Sequence, residues 1–217
     1  GAEGDLVAIS GELSTDEEIG DEYLKNGNYL LVQREVEMYA WEEDSKSRTR
    51  KNIGGSETTR TTYTYKKKWT SAPEDSDDFE EPRGHYNPEM DVKSKNFQPS
   101  SATIGKYELD AQRLDMPRAK DLSLKQSMVD TDGNLNLENA DYLYMGVGSL
   151  NNPEVGDLRI HYKVVRNPLT NATVLGSLNN NRLETYQGPR ESKLYHAFEG
   201  SYKDAVQSLR KEHNQTT

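Results

Sequence analysis

One stretch of sequence, Tyr29–Glu43, limits the possible folds more than any other, because its apolar residues recur with a period of two. Leu30, Val32, Val36, Met38 and Ala40 fall on one side, interrupted by Arg34. Tyr29, Leu31, Gln33, Glu35, Glu37, Tyr39 and Trp41 fall on the other. Side chains alternate across a strand, so this stretch reads as a long, half-buried β-strand. Its partner is Thr59–Trp69, with Tyr63, Tyr65 and Trp69 on one face and Arg60, Thr62, Thr64, Lys66 and Lys68 on the other. Between them lies SKSRTRKNIGG, where Gly54-Gly55 supplies turn geometry. The prediction is a long N-terminal hairpin with a basic, mobile tip.

The remaining elements are shorter. Leu6–Leu13 reads as a strand, followed by six acids within residues 12–22 that suit a turn or a first helical turn capped by Ser14 or Thr15. Residues 73–82, PEDSDDFEEP, form a loop between two prolines with six more acids, read as a solvated charge run. Ile104–Leu114 and Ala119–Met128 read as two short helices separated at Met116-Pro117. A strand-rich block begins at Tyr142 and continues through Asp157–Val165, Ala172–Leu178 and Arg182–Tyr186, an antiparallel meander with turns at Asn167-Pro168 and Asn179-Asn180-Asn181. Phe198–His213 closes the chain as an amphipathic helix. The fold class is mainly β (α+β), one domain over 1–217 with sub-blocks 1–100 and 101–217.

Composition raises a question about the core. Leu, Ile, Val and Phe make up only 39 of 217 residues, and the net charge is −10, values met in disordered chains. The compensation is 13 Tyr and two Trp, which bury large areas while keeping a polar tip. The two acidic segments account for more than the whole net charge, leaving the other residues at +2. A pI near 5.0 argues against nucleic-acid binding. No apolar run approaches the ~20 residues of a bilayer-spanning helix, and no signal-peptide core stands at the N-terminus, where Gly1-Ala2 reads as a cloning remnant.

Without cysteine there is no disulfide, thiolate metal site or thiol chemistry. His85, His161, His196 and His213 show no paired ligand spacing, and His85 suits a turn-fixing role in Gly84-His85-Tyr86-Asn87-Pro88. Asp130-Thr131-Asp132-Gly133-Asn134 is out of register for a calcium loop and reads as a hairpin turn. GxSxG and SxxK are missing, and Gly146-Val147-Gly148 lacks the helix of a phosphate loop. No metal or cofactor is expected. The exposed-face aromatics suit packing better than sugar binding. Asn171-Ala172-Thr173 and Asn214-Gln215-Thr216 match the glycosylation pattern, relevant only in a eukaryotic secretory lumen.

Val36-Glu37-Met38-Tyr39 with Trp41 resembles a strand of the LUMA family, also called transmembrane protein 43. Glu3-Gly4-Asp5-Leu6-Val7 with Gly11, Tyr63-Thr64-Tyr65 leading to Trp69, Gly84-His85 with Asn87-Pro88, and Leu122-Ser123-Leu124 follow in family order. The most specific late piece is Asn152-Pro153-Glu154-Val155-Gly156-Asp157-Leu158-Arg159. The resemblance runs from residue 3 to about 160, and the acidic loop 73–82 departs from it. It implies a large non-cytoplasmic domain cut away from its membrane helices, in the endoplasmic reticulum and inner nuclear membrane or, in bacteria, the periplasm. Self-association and contacts with other membrane or envelope proteins are implied too. The family supplies no catalytic residues. The structural or interaction candidates are thus Glu37, Tyr39, Trp41, Tyr63, Tyr65, Trp69, His85, Asn87, Glu154, Gly156, Asp157 and Arg159. The expected function is a non-enzymatic scaffold, with a glycan- or lipid-headgroup-binding module or a carboxylate-pair hydrolase as rivals.

Overall fold

In the computed structural model, which describes residues 4–216, the chain is mostly β with one α-helix at its C-terminal end. Gly1-Ala2, Glu3, Thr217 and the side chains of Glu212, His213 and Thr216 lie outside the described residues. The strands run β1 Leu6–Ser14, β2 Tyr29–Lys51, β3 Glu57–Thr70, β4 Lys95–Phe97, β5 Ser101–Ile104, β6 Tyr107–Asp110, β7 Lys120–Asp121 and β8 Leu135–Glu138. They continue as β9 Tyr142–Met145, β10 Leu158–Arg166, β11 Leu169–Asn179, β12 Arg182–Glu184, β13 Tyr186–Gln187, β14 Lys193–Leu194 and β15 His196–Glu199, before helix α1, Tyr202–Thr216. Two compact units result. Unit 1 is Gly1–Gln33, Lys95–Asp130 and Tyr162–Thr217; unit 2 is Arg34–Ser94 and Thr131–His161.

In unit 1, β1 pairs with both β11 and β5, and the order β1-β5-β6-β12-β11 therefore closes on itself, with β15 added beside β11. Closure removes the open edges of the five-strand ring. Its interior is filled by Leu13, Leu30, Ile104, Leu109, Val174 and Leu183, with Ala102, Ala172 and Ala197 admitting close approach. Helix α1 lies against β15: its fully buried Ala205 packs with Leu175 and Phe198.

Tyr195 ties the ring together. Its hydroxyl donates to the Leu183 carbonyl at 2.6 Å and accepts from the Asp110 N–H at 3.0 Å. Burial pushes its ionisation up to about 12. An unfolded tyrosine ionises near 10, so the stabilisation from keeping the folded hydroxyl protonated is complete below pH 10 and is lost as pH rises toward 12. The unfolding midpoint of the wild type should therefore drop more steeply over that window than that of Tyr195→Phe. Parallel pH profiles, followed by circular dichroism, would show that Tyr195 ionises equally readily folded and unfolded.

In unit 2 the predicted alternation holds, with Val36, Met38 and Ala40 buried on the inner face of β2. Arg34, the interruption in that pattern, is buried too, and its Nε and Nη2 both donate to the Lys93 carbonyl at 3.1 and 3.0 Å. Strand β2 pairs with β3 in one unbroken antiparallel register from Met38↔Thr70 to Lys51↔Glu57. The segment expected to be a loose basic tip is thus strand up to Lys51, and only Asn52–Ser56 turns, closed by Asn52 N–H to the Ser56 carbonyl at 2.8 Å.

Several other expectations are corrected. The two middle helices are absent. Ile104–Leu114 falls largely in the β5–β6 hairpin, where Ala102, Ile104 and Leu109 are buried by period-two alternation around a two-residue turn with Gly105 at φ 56°. Ala119–Met128 holds β7 and a 3₁₀ turn at Gln126–Met128. Of the two alternatives for residues 12–22, the turn is the one found and the helical turn is not: the Thr15 hydroxyl accepts from the Glu17 N–H at 3.1 Å. The meander is split, because β10 pairs with β9 and β7 whereas β11 pairs with β1, β12 and β15. Phe198 lies in β15 opposite Thr173, so the C-terminal helix begins only at Tyr202.

Candidate functional site

All twelve candidate residues lie in unit 2. They fall into two clusters, with Tyr63 outside both, exposed on the hairpin opposite Ser45.

The first cluster is built on Asp157, only 4% exposed. Gly156, at φ 98°, turns the chain so that the Asp157 carboxylate points back at the loop before it. There Oδ1 accepts from the Val147 N–H at 3.1 Å. Oδ2 accepts from the Gly148 and Glu154 N–H groups at 3.0 Å each and from the Tyr144 hydroxyl at 2.5 Å. A Cβ on Gly146 would sit 2.0 Å from Oδ1, and one on Gly148 would meet Oδ2 at 2.7 Å. The two glycines therefore exist to let the backbone wrap a carboxylate. Gly146-Val147-Gly148 does cradle an anion, and that anion is the chain's own Asp157. Burial, followed by the hydrogen bond to Asp157 and then its charge, holds the Tyr144 hydroxyl far above the usual tyrosine range, so it stays a donor. Glu154 contributes its backbone N–H, while its side chain is exposed.

Two residues on, Arg159 reaches the outer face of the sheet. Its Nε and Nη2 donate to Glu37 Oε1 at 2.9 and 2.7 Å, and its guanidinium lies 4.7 Å from the Trp69 ring and 5.0 Å from Tyr142. Trp69 in turn packs on Tyr39, its cross-strand partner, at 5.3 Å. A planar cation between two rings and a carboxylate gives a rigid surface patch.

The second cluster pins the acidic loop. Asn87, buried, accepts from the Trp41 N–H at 2.7 Å and donates to the carbonyls of Trp41 and Glu74 at 2.9 and 3.0 Å. His85 stacks on Tyr65 at 3.7 Å, meets Trp41 edge-on at 4.9 Å, and turns Nδ1 to the Glu81 carbonyl at 2.8 Å. Its expected turn-fixing role matches that bond. The Tyr65 hydroxyl donates to Glu43 Oε2 and accepts from the Glu81 N–H. Phe79 and Ser76 are buried beneath the loop. Residues 73–82 are therefore a structured segment with outward acids rather than a free charge run. Glu43, Ser76, Phe79, Tyr142 and Tyr144 escaped sequence reasoning; the lone Phe79 among six acids was the available signal for docking.

Between this loop and residues 86–94 runs an open groove of about 1040 Å³. Glu74, Asp75, Asp77 and Glu89 line it against one base, Lys93, with Tyr86 and Met90 as its larger apolar elements. Among the described residues no group of three or more His, Asp or Glu side chains is placed to hold a metal ion. Nor is any helix among them long and apolar enough to cross a membrane.

The family model described as Transmembrane protein 43 matches residues 38–217. A Drosophila melanogaster protein named Transmembrane protein 43 homolog is 28% identical over 190 residues, covering 86% of this chain and 50% of that protein. Transmembrane protein 43 of Homo sapiens is 32% identical over 163 residues, covering 74% of this chain and 40% of the human protein. The chain thus spans about half the length, or less, of these curated relatives. No solved structure matches it. A match over most of the chain, including both residue clusters from Met38 onward, settles the lineage: the chain belongs to the transmembrane protein 43 family.

Proposed function

We propose that the chain is the extramembrane domain of a multi-pass membrane protein and acts as a non-enzymatic scaffold, through protein–protein contacts and self-association. Its place would be the non-cytoplasmic side: the endoplasmic reticulum lumen and inner nuclear membrane in a eukaryote, the periplasm in a bacterium. Other membrane or envelope proteins would be its neighbours. The observation that carries this reading is the hairpin beyond Asp44, where all residues from 44 to 64 are exposed on both faces of a two-stranded ribbon. Such a ribbon has no core of its own and two open edges, which suits a surface completed by another protein.

The rival readings draw less support. Of Tyr39, Trp41, Tyr63, Tyr65 and Trp69, only Tyr63 is exposed, which leaves no flat aromatic platform for a sugar. A general acid requires a raised carboxyl pKa. Among the described residues, the carboxyl groups of Glu17, Glu42 and Asp204 are held below the usual carboxylate range, chiefly by hydrogen bonds from Ser100, Lys68 and Ser201 respectively. Proximity labelling of a full-length family member, with and without this domain, tests the proposal. Deletion should remove a defined set of protein neighbours, and an unchanged neighbour list would sink the scaffold reading.

A further inference from the structure

The ribbon sorts its charge by face. Side chains directly opposite in an antiparallel pair share a face, and every second residue returns to it. In the observed register Lys46, Arg48 and Arg50 on β2 lie on one face with Thr62, Arg60 and Thr58 on β3. The other face carries hydroxyls, Ser47 bonding Thr61 at 2.9 Å and Thr49 bonding Thr59 at 3.1 Å, and ends in the oppositely charged cross-strand neighbours Lys51 and Glu57. Nearer the base the same cationic face continues as Lys66 and Lys68, but there Glu42 and Asp44 answer them within 3.5 Å. Lys46, Arg48, Arg50 and Arg60 have no ion-pair partner among the described residues. Arg48 stands directly opposite Arg60, a like-charge pair that disfavours the ribbon on its own. At the turn, Ile53 is fully exposed.

These features specify an anionic partner and argue against edge-to-edge pairing of two ribbons, which would set cations against cations. The complementary surface is on the same unit. The groove that follows β3 in the chain presents Glu74, Asp75, Asp77 and Glu89, with Tyr86 exposed for guanidinium stacking and Met90 and Pro88 to receive an apolar tip. The chain cannot satisfy itself. The groove begins at Ser71, where β3 ends, whereas the unpaired cations lie toward the far end of the hairpin. At about 3.3 Å per residue, the ribbon from Asp44 to Lys51 extends roughly 23 Å away from that base.

We propose that the cationic face and Ile53 tip of one chain dock in the acidic groove of a second copy, a head-to-tail contact between two different surfaces. This deepens the scaffold reading and rests on it, by naming the self-association interface. Such a contact leaves a free ribbon at one end and a free groove at the other, so it propagates or closes into a ring.

Sedimentation of the purified 217-residue chain tests this. The wild type should self-associate at about 0.1 M salt and disperse at about 1 M, as the Debye length falls from roughly 10 to roughly 3 Å. A ribbon variant, Arg48→Gln/Arg50→Gln/Arg60→Gln, and a groove variant, Asp77→Asn/Glu89→Gln, should each weaken association by about tenfold or more. All five positions are exposed, so circular dichroism should match the wild type. Mixed together, the two variants should form a 1:1 dimer that grows no further, because the mixture retains one intact ribbon and one intact groove. Wild-type association with no dimer in the mixture, or variants that associate like the wild type, would overturn the interface while leaving self-association standing. A wild type that stays monomeric in low salt would overturn both. Ribbon-dependent binding to phosphatidylserine vesicles, with no dimer in the mixture, would reassign the ribbon to a lipid surface and also overturn the proposal.

Discussion

Asp157→Ala should cost about 3–5 kcal/mol of folding stability, among the largest effects any single substitution in unit 2 can have. The carboxylate satisfies three backbone N–H groups and the Tyr144 hydroxyl in a site where Asp157 is 4% exposed, so its removal leaves four donors without an acceptor. Asp157→Asn keeps the shape but replaces one acceptor with an NH₂ that faces donors on either side. Its cost should be about 2–3 kcal/mol. Urea unfolding midpoints measure both, and near-UV circular dichroism should change as well, since Tyr144 packs edge-on against Trp69 at 6.0 Å. Glu154→Ala is the control. Its backbone N–H remains and its side chain is exposed, so the change should stay within about 0.5 kcal/mol. If Asp157→Ala cost less than about 1 kcal/mol, the loop 146–156 would be held by something other than this carboxylate.

The same site shows where sequence reading stops. Gly146-Val147-Gly148 and Asp157 can each be read locally, one as an incomplete anion loop and the other as a strand opening. Only folding shows that they are one object, because the anion comes from about ten residues away. The hairpin was legible for the opposite reason: β2 and β3 are adjacent in sequence, and one buried face fixes the register for the whole length. Beyond Asp44 that logic fails. SKSRTRK has no apolar residue to bury, yet it continues as strand because the register set below is propagated upward by backbone pairs and by hydroxyl bonds such as Thr49 to Thr59. The middle helices failed on length. Strands β5 and β6 have four residues each, too few to tell a period of two from 3.6, and Gly105-Lys106 is a two-residue turn that the apolar spacing concealed. Phe198 fits helical spacing with Tyr202 and Ala205, but its partner across the strand, Thr173, is remote in sequence.

Asn87 carries the other large expected effect, because its side chain acts as a single residue of β-strand. Strand β10 pairs with β2 only as far as Tyr39, whose N–H donates to the Asp157 carbonyl. Two residues further along β2, the Asn87 amide takes over, binding both the N–H and the carbonyl of Trp41 and donating in addition to the Glu74 carbonyl. Asn87→Ala leaves three backbone groups unanswered at a buried position, and should cost about 2–4 kcal/mol. Asn87→Asp should be worse at neutral pH despite its identical shape. It keeps the bond from the Trp41 N–H but loses both donors and sets a negative charge against two carbonyl oxygens. A carboxyl disfavoured in its charged form has a raised pKa, so the extra penalty should shrink as pH falls into the carboxylate range and grow again above it. Chemical unfolding of the three proteins at acidic and neutral pH measures this. Equal stability of the Ala and Asp variants at neutral pH would mean that the amide donors hold nothing. The consequence reaches the groove: Glu74 and Ser76, whose hydroxyl accepts from the Asn87 N–H at 3.0 Å, anchor the start of the acidic loop. Loosening them should weaken salt-sensitive self-association even in an Asn87 variant that remains folded, although Asn87 itself carries no charge.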